Sequence, residues 1–126
     1  MAITGTNHFN VLTDDVPATV AFYCDVLGLR NGERPDFSFP GAWLYAGDAP
    51  ILHISGGRTR DELTPGVIDH IAFSASGLRA TLARLDQAGH HAMCQRQVTT
   101  GIWQVFVNDP NGARVELDFD PAETAP

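Results

Sequence analysis

The chain repeats itself, and the repeat limits what it can fold into. "NHFNVLTDDVPATVAFYCDVLG", from Asn7, set beside "DHIAFSASGLRATLARLDQAG", from Asp69, places His8 against His70 at an offset of 62; Ala18, Thr19 and Ala21 then meet Ala80, Thr81 and Ala83. Both copies read as an apolar, histidine-bearing strand, a polar turn, an amphipathic helix and a glycine. In the first, Asp14 or Asp15 caps the helix, Pro17 fits its first turn, Val16, Val20, Tyr23 and Leu27 recur at helical spacing, and Gly28 ends it. In the second, Ser76 is the expected cap, Leu78, Leu82 and Leu85 the apolar stripe, and Gly89 the stop. Three strand-like runs follow each helix, over 29–33, 41–46 and 50–55 and then over 91–98, 102–108 and 113–119. Turn residues join the last two of each set, Gly47-Asp48 and Asp109-Pro110-Asn111-Gly112. The pattern is βαβββ, twice, an α+β fold. We expect a single domain over 1–126, with module one at about 4–55, a Gly- and charge-rich linker at 56–66 and module two at about 67–119.

The closing strands sharpen the comparison. "APILHIS" from Ala49 aligns with "GARVELD" from Gly112, so His53 stands opposite Glu116 at an offset of 63. His8, His53, His70 and Glu116 therefore occupy two equivalent positions in each half. Strand alternation puts Arg114, Glu116 and Asp118 on one face and Val115, Leu117 and Phe119 on the other, so Glu116 is expected on the open face, away from the helix. His8 shares a face with Thr6 and Asn10, and His70 with Ile68, Ala72 and Ser74, so the polar residues of each half fall on one side. Three imidazoles and a carboxylate suit a divalent first-row ion, with zinc, nickel, cobalt, manganese and ferrous iron all open. Trp43 stands ten residues before His53 and Phe106 ten before Glu116, placing an aromatic beside each. Phe39, in the apolar loop "RPDFSFPGAW", and Trp103 complete the expected substrate pocket. Arg30, Arg34 and Arg96 could each hold a substrate carboxylate by paired hydrogen bonds.

A formal charge of −7, with only 8 Lys and Arg, argues against nucleic acid or anionic membrane as partners. The first residues carry neither a basic nor an apolar leader pattern, so the expectation is cytoplasmic, with Cys24 and Cys94 as free thiols.

The opening "HFNVL…AFYCDVLGL", "DHIAF" at the second start and "VFVNDPNGARVEL" near the end together resemble the vicinal oxygen chelate superfamily, which includes glyoxalase I, fosfomycin-resistance enzymes, extradiol dioxygenases and bleomycin-resistance proteins. The resemblance implies paired βαβββ modules forming a cup-shaped mixed sheet around one metal, with helices on the convex face. It carries the metal positions onto His8, His53, His70 and Glu116. The implied activity is that of a metal-dependent isomerase or lyase like glyoxalase I, acting on a small substrate that chelates through vicinal oxygens, with Glu116 or His53 moving the proton. Ferrous catechol dioxygenation and non-catalytic drug binding are the alternatives that the superfamily offers. It also implies a homodimer, whose cups are built from one chain or exchanged between two. The chain departs from glyoxalase I in carrying histidine at position 53, where Glu or Gln is usual, and Leu12 and Gly57 where those enzymes bind glutathione through Arg and Asn.

Overall fold

The computed structural model describes residues 1–126. Its backbone divides into two compact units, Met1–Leu63 and Thr64–Pro126. The first runs β1 (Phe9–Leu12), α1 (Val16–Ala21), β2 (Arg30–Gly32), β3 (Gly41–Ala46) and β4 (Ala49–Ser55). The second runs β5 (Ile71–Ala75), α2 (Leu78–Gln87), β6 (Met93–Arg96), β7 (Trp103–Asn108) and β8 (Arg114–Phe119). The sheet orders are β1-β4-β3-β2 and β5-β8-β7-β6, so both units share one topology. In each, the first strand pairs in parallel with the last, and the remaining pairs are antiparallel. No helix is long and apolar enough to cross a membrane.

Alternation separates the two faces of each sheet. In the first unit, Val11, Ala42, Leu44, Leu52 and Ile54 are buried together with Phe22, Tyr23 and Val26, and α1 packs on β3 and β4. In the second, Ile71, Val105, Val107, Val115, Leu117 and Phe119 are buried, as are Leu78 and Leu85 of the helix. Truncating one such side chain, Leu44→Ala for instance, costs about 2–5 kcal/mol in lost transfer energy and cavity formation. The residues between them, Asn10, Trp43, His53 and Ser55 in one unit and Ala72, Gln104, Phe106, Glu116 and Asp118 in the other, fall on the opposite face.

Local chemistry explains most boundaries. Asp15 is the cap of α1 and accepts from the Ala18 N–H, with Pro17 in the first turn where a missing donor costs nothing. The helix then widens into a π-helical turn over Phe22–Val26, closed by Leu27 N–H on the Phe22 carbonyl, and Gly28 leaves it at φ 88°. The second helix corrects the sequence expectation. Its cap is Gly77, at φ 82°, and Ser76 makes no cap. Gly77 stands at the repeat position of Asp15 but has no side chain to accept with. The Glu123 carboxylate does so instead, taking the Gly77 N–H at 3.0 Å and the Leu78 N–H at 2.8 Å.

Candidate functional site

His8 and His70 stand immediately before β1 and β5 rather than within them. Both are exposed, and each ring is tied by the residue that precedes it: Asn7 Oδ1 lies 2.7 Å from His8 Nδ1, and Asp69 Oδ2 lies 2.8 Å from His70 Nδ1. With Nδ1 donating to that acceptor, Nε2 is the ring nitrogen left to a metal or to another partner. Asn7 and Asp69 are themselves separated by the repeat offset, so the orienting contact is duplicated with the histidine.

In the first unit, register sets Asn10 and Trp43 on either side of His53. The His53 ring is stacked between His8, at 3.7 Å between centroids, and Trp43, at 4.1 Å. Its Nε2 is buried with no hydrogen-bond partner. Burial and the neighbouring His8 lower its pKa, against a smaller opposing pull from the Pro50 backbone, so His53 stays neutral to lower pH than a free imidazole. The aromatic row continues outward from Trp43 to Phe37 at 6.3 Å and from Phe37 to Phe39 at 5.3 Å.

In the second unit, β8 carries Glu116 beside Phe106, the same cross-strand relation that joins His53 to Trp43. Glu116 is on the face away from the core yet only 6% exposed. Its neighbours account for that difference from the open position expected. Oε1 accepts from Gln104 Nε2 at 2.7 Å and Oε2 lies 2.9 Å from His70 Nε2. Phe106 stands edge-on to His70, and the Arg114 guanidinium covers the Phe106 ring while reaching Asp69 at 3.3 Å. Asp118, two residues beyond Glu116 on the same face, has a buried oxygen without a partner. Desolvation, the hydrogen bond with Glu116 and its charge raise the Asp118 pKa to about 6.

The donors match a divalent ion in chemistry. A separation of 2.9 Å between His70 Nε2 and Glu116 Oε2 is that of two adjacent ligands held at about 2.0–2.2 Å from one centre. The orphaned His53 Nε2 is a buried acceptor lacking what it should bind. His8 and His53 lie with their planes only 17° apart, so both lone pairs meet one ion only if the exposed His8 ring tilts. The four residues occur as two pairs, one per unit, and no group of three or more His, Cys, Asp or Glu side chains stands ready to hold an ion.

One expected pocket residue falls elsewhere. Trp103 alternates with Val105 and Val107, facing the core side of β7 rather than the Phe106 and Glu116 side. It stacks under Arg96, whose guanidinium ties the Gly101 and Pro121 carbonyls. The residues not singled out from sequence are Gln104 and Asp118. Same-face alternation with Glu116 was the available signal for Asp118, and the cross-strand neighbours that β7 presents to Glu116 were that for Gln104.

The family model described as "Glyoxalase/Bleomycin resistance protein/Dioxygenase superfamily" matches residues 5–117. The chain belongs to that superfamily. A curated relative, "Glyoxylase I 4" of Arabidopsis thaliana, is 28% identical over 123 residues, covering 91% of this chain and 70% of the relative. Among solved structures, a glyoxalase family protein from Bacillus anthracis superposes with a TM-score of 0.78 at 21% identity, covering 95% of this chain and 98% of that one. A mutant of the fosfomycin resistance protein FosX from Listeria monocytogenes, complexed with Mn(II) and 1S,2S-dihydroxypropylphosphonic acid, gives 0.75 at 17% identity, covering 94% and 93%. Both structures share the superfamily fold with this chain.

Proposed function

We propose that this superfamily member is a metal-dependent isomerase or lyase of the glyoxalase type, acting on a small substrate with vicinal oxygens. His8, His53, His70 and Glu116 would together hold one divalent ion, the two modules coming from one chain or from two. When bound, the ion supplies Lewis-acid stabilisation of negative charge developing on two adjacent substrate oxygens. The chain's own residues do the rest. Glu116 removes a proton from the carbon bearing the hydroxyl and returns it to the neighbouring carbon, while the hydroxyl proton passes to the former carbonyl oxygen, so the net change is an isomerisation with no external oxidant. Gln104 holds one Glu116 oxygen by its amide and fixes the plane of the carboxylate, leaving the other for His70 or substrate. Asp69 fixes the orientation of the His70 ring. Trp43 and Phe106 wall off His53 and Glu116 from water.

The observation that carries this reading is the buried Glu116 carboxylate, 2.9 Å from Nε2 of the His70 ring that Asp69 orients from the other side. Support for a homodimer comes from β1 and β5, each terminal in its sheet, and from the exposed Val67 and Ile68 leading into β5.

Glu116→Gln tests the assignment, because the amide retains an oxygen but cannot take a proton. We expect metal to remain at reduced affinity while turnover of α-hydroxycarbonyl substrates falls about 10²- to 10⁴-fold. A smaller fall, with a larger one in His53→Gln, moves the base to His53. Oxygen consumption with catechols after anaerobic loading with ferrous iron would replace the isomerase reading with ring-cleaving dioxygenation. Protein that holds no metal and only binds its ligand would be a sequestering member of the superfamily.

A further inference from the structure

Hydrogen-bond accounting separates the three arginines that could receive an anion. Arg96 is spent on two backbone carbonyls and the face of Trp103. Arg30 lies over Tyr45 with Nη2 on the Gly47 carbonyl, bracing the hairpin turn. Arg34 differs. Its sole hydrogen bond is from Nη2 to the Phe39 carbonyl at 3.0 Å, and its Nε–H is buried without an acceptor. None of the chain's carboxylates forms an ion pair with it, although Glu33 and Asp36 lie on the same segment.

Glycine at position 41 keeps the strand close to the guanidinium. A Cβ there would clash first with the Ile54 carbonyl oxygen of β4 and would also stand 2.9 Å from Arg34 Nη2 and 3.2 Å from Cζ, so the cation packs directly against Gly41. Gly41 and Trp43 alternate along β3 and share a face, about 6.5–7 Å apart. Since Trp43 is the register partner of His53 and is stacked on it, Arg34 lies on the His53 face, one residue pair along. Its Cζ is 4.8 Å from the Phe37 centroid and 5.0 Å from that of Phe39. The two rings are stacked on each other, yet the residues remain 41% and 43% exposed.

Two deficits thus meet at one place: apolar rings left in water, and a cation whose Nη1 donates to no group of the chain. One ligand relieves both. A carboxylate matches the planar guanidinium fork, and a flat apolar group matches the phenyl and indole faces. We propose that Arg34, Phe37, Phe39 and Trp43 form a receptor for organic carboxylates joined to a planar apolar group, and that it sets the substrate class of the site containing His53. The inference rests on His53 belonging to the active site.

The test uses 2-naphthoate and its neutral counterpart 2-naphthamide, titrated by calorimetry into the full chain as purified and again after chelation of metal. The acid is expected to bind about 10- to 100-fold more tightly than the amide, the scale of a charge-assisted hydrogen bond. Arg34→Gln should remove that preference, Arg30→Gln should keep it, and Phe37→Ala should weaken both ligands alike. Equal binding of acid and amide by the unsubstituted chain, or no binding of either, overturns the receptor whether or not Arg34→Gln folds. A preference kept in Arg34→Gln but lost on chelation also overturns it, by placing the carboxylate on the metal. A chain that retains no ion even after loading with divalent metal, yet keeps the Arg34-dependent preference, would sink the metal-enzyme reading and leave the receptor standing.

Discussion

At the scale of the residue, the chemistry depends on neighbours that fix side chains already in place. Asp69 accepts from His70 Nδ1 and is itself steadied by Arg114, so it favours the proton on Nδ1 and fixes the orientation of the ring. Asp69→Ala is expected to lower metal affinity about 10- to 100-fold, the usual cost of losing such an orienting partner. Asp69→Asn, which reproduces the amide that orients His8, should lose less. Competition titration with a chromophoric chelator at fixed pH measures both, and unchanged affinity in Asp69→Ala would rule the role out. Asp118 has the opposite character. Its carboxyl is raised to about 6 from 3.8 by burial and by Glu116, so the native state holds a proton that the unfolded chain has already released. That stabilising protonation is complete below about pH 4 and lost as pH rises through about 6. The melting temperature of metal-free protein should therefore drop relative to Asp118→Asn across that interval and run parallel above it. A constant difference between the two from pH 4 to 7 would show that Asp118 titrates normally.

At the scale of the element, local signals were legible and distant ones were not. The α1 cap, its first-turn proline and its terminal glycine lie within fourteen residues of one another, Asp15 to Gly28; the sequence narrowed the cap to Asp14 or Asp15 and assigned the other two outright. The α2 cap could not, because its acceptor is Glu123, 46 residues beyond Gly77. Glu123→Ala should destabilise the chain by about 0.5–2 kcal/mol, as removal of a capping side chain does, with Glu123→Gln losing less. Urea denaturation checks this, and a change below the low end of that range would mean that water serves the two N–H groups equally well. Spacing was equally informative within hairpins. Ten residues from Trp43 to His53 and from Phe106 to Glu116 become direct cross-strand partners. Trp103 shows the limit of choosing a pocket residue by type, since alternation with Val105 turns it to the core side. Which arginine is unsatisfied was not legible at all, because it depends on carbonyls and rings brought to Arg34 by loop geometry.

At the scale of the whole molecule, the repeat divides the donors evenly: His8 and His53 in Met1–Leu63, His70 and Glu116 in Thr64–Pro126. Neither pair alone is a complete coordination set for zinc or iron, which take at least three protein ligands in catalytic sites. If one ion draws on both pairs, substitutions in either unit must have the same consequence. His8→Ala and His70→Ala are each expected to abolish binding of one equivalent of metal per chain, measured by elemental analysis after gel filtration. Were the units to bind independently, His70→Ala would leave the His8 and His53 ion untouched. The pH dependence gives a second, independent count. Each imidazole must shed its proton to ligate, so affinity falls as pH drops through the imidazole range, near 6.5 for a free histidine. His53, with its lowered pKa, adds its proton at the acid end of that range. The slope of log affinity against pH should thus steepen toward about three well below pH 6, one for each histidine at a shared site. A limiting slope near one would confine the ion to His70 and Glu116, and a slope near two that survives His70→Ala would confine it to His8 and His53; either result would break the single shared centre.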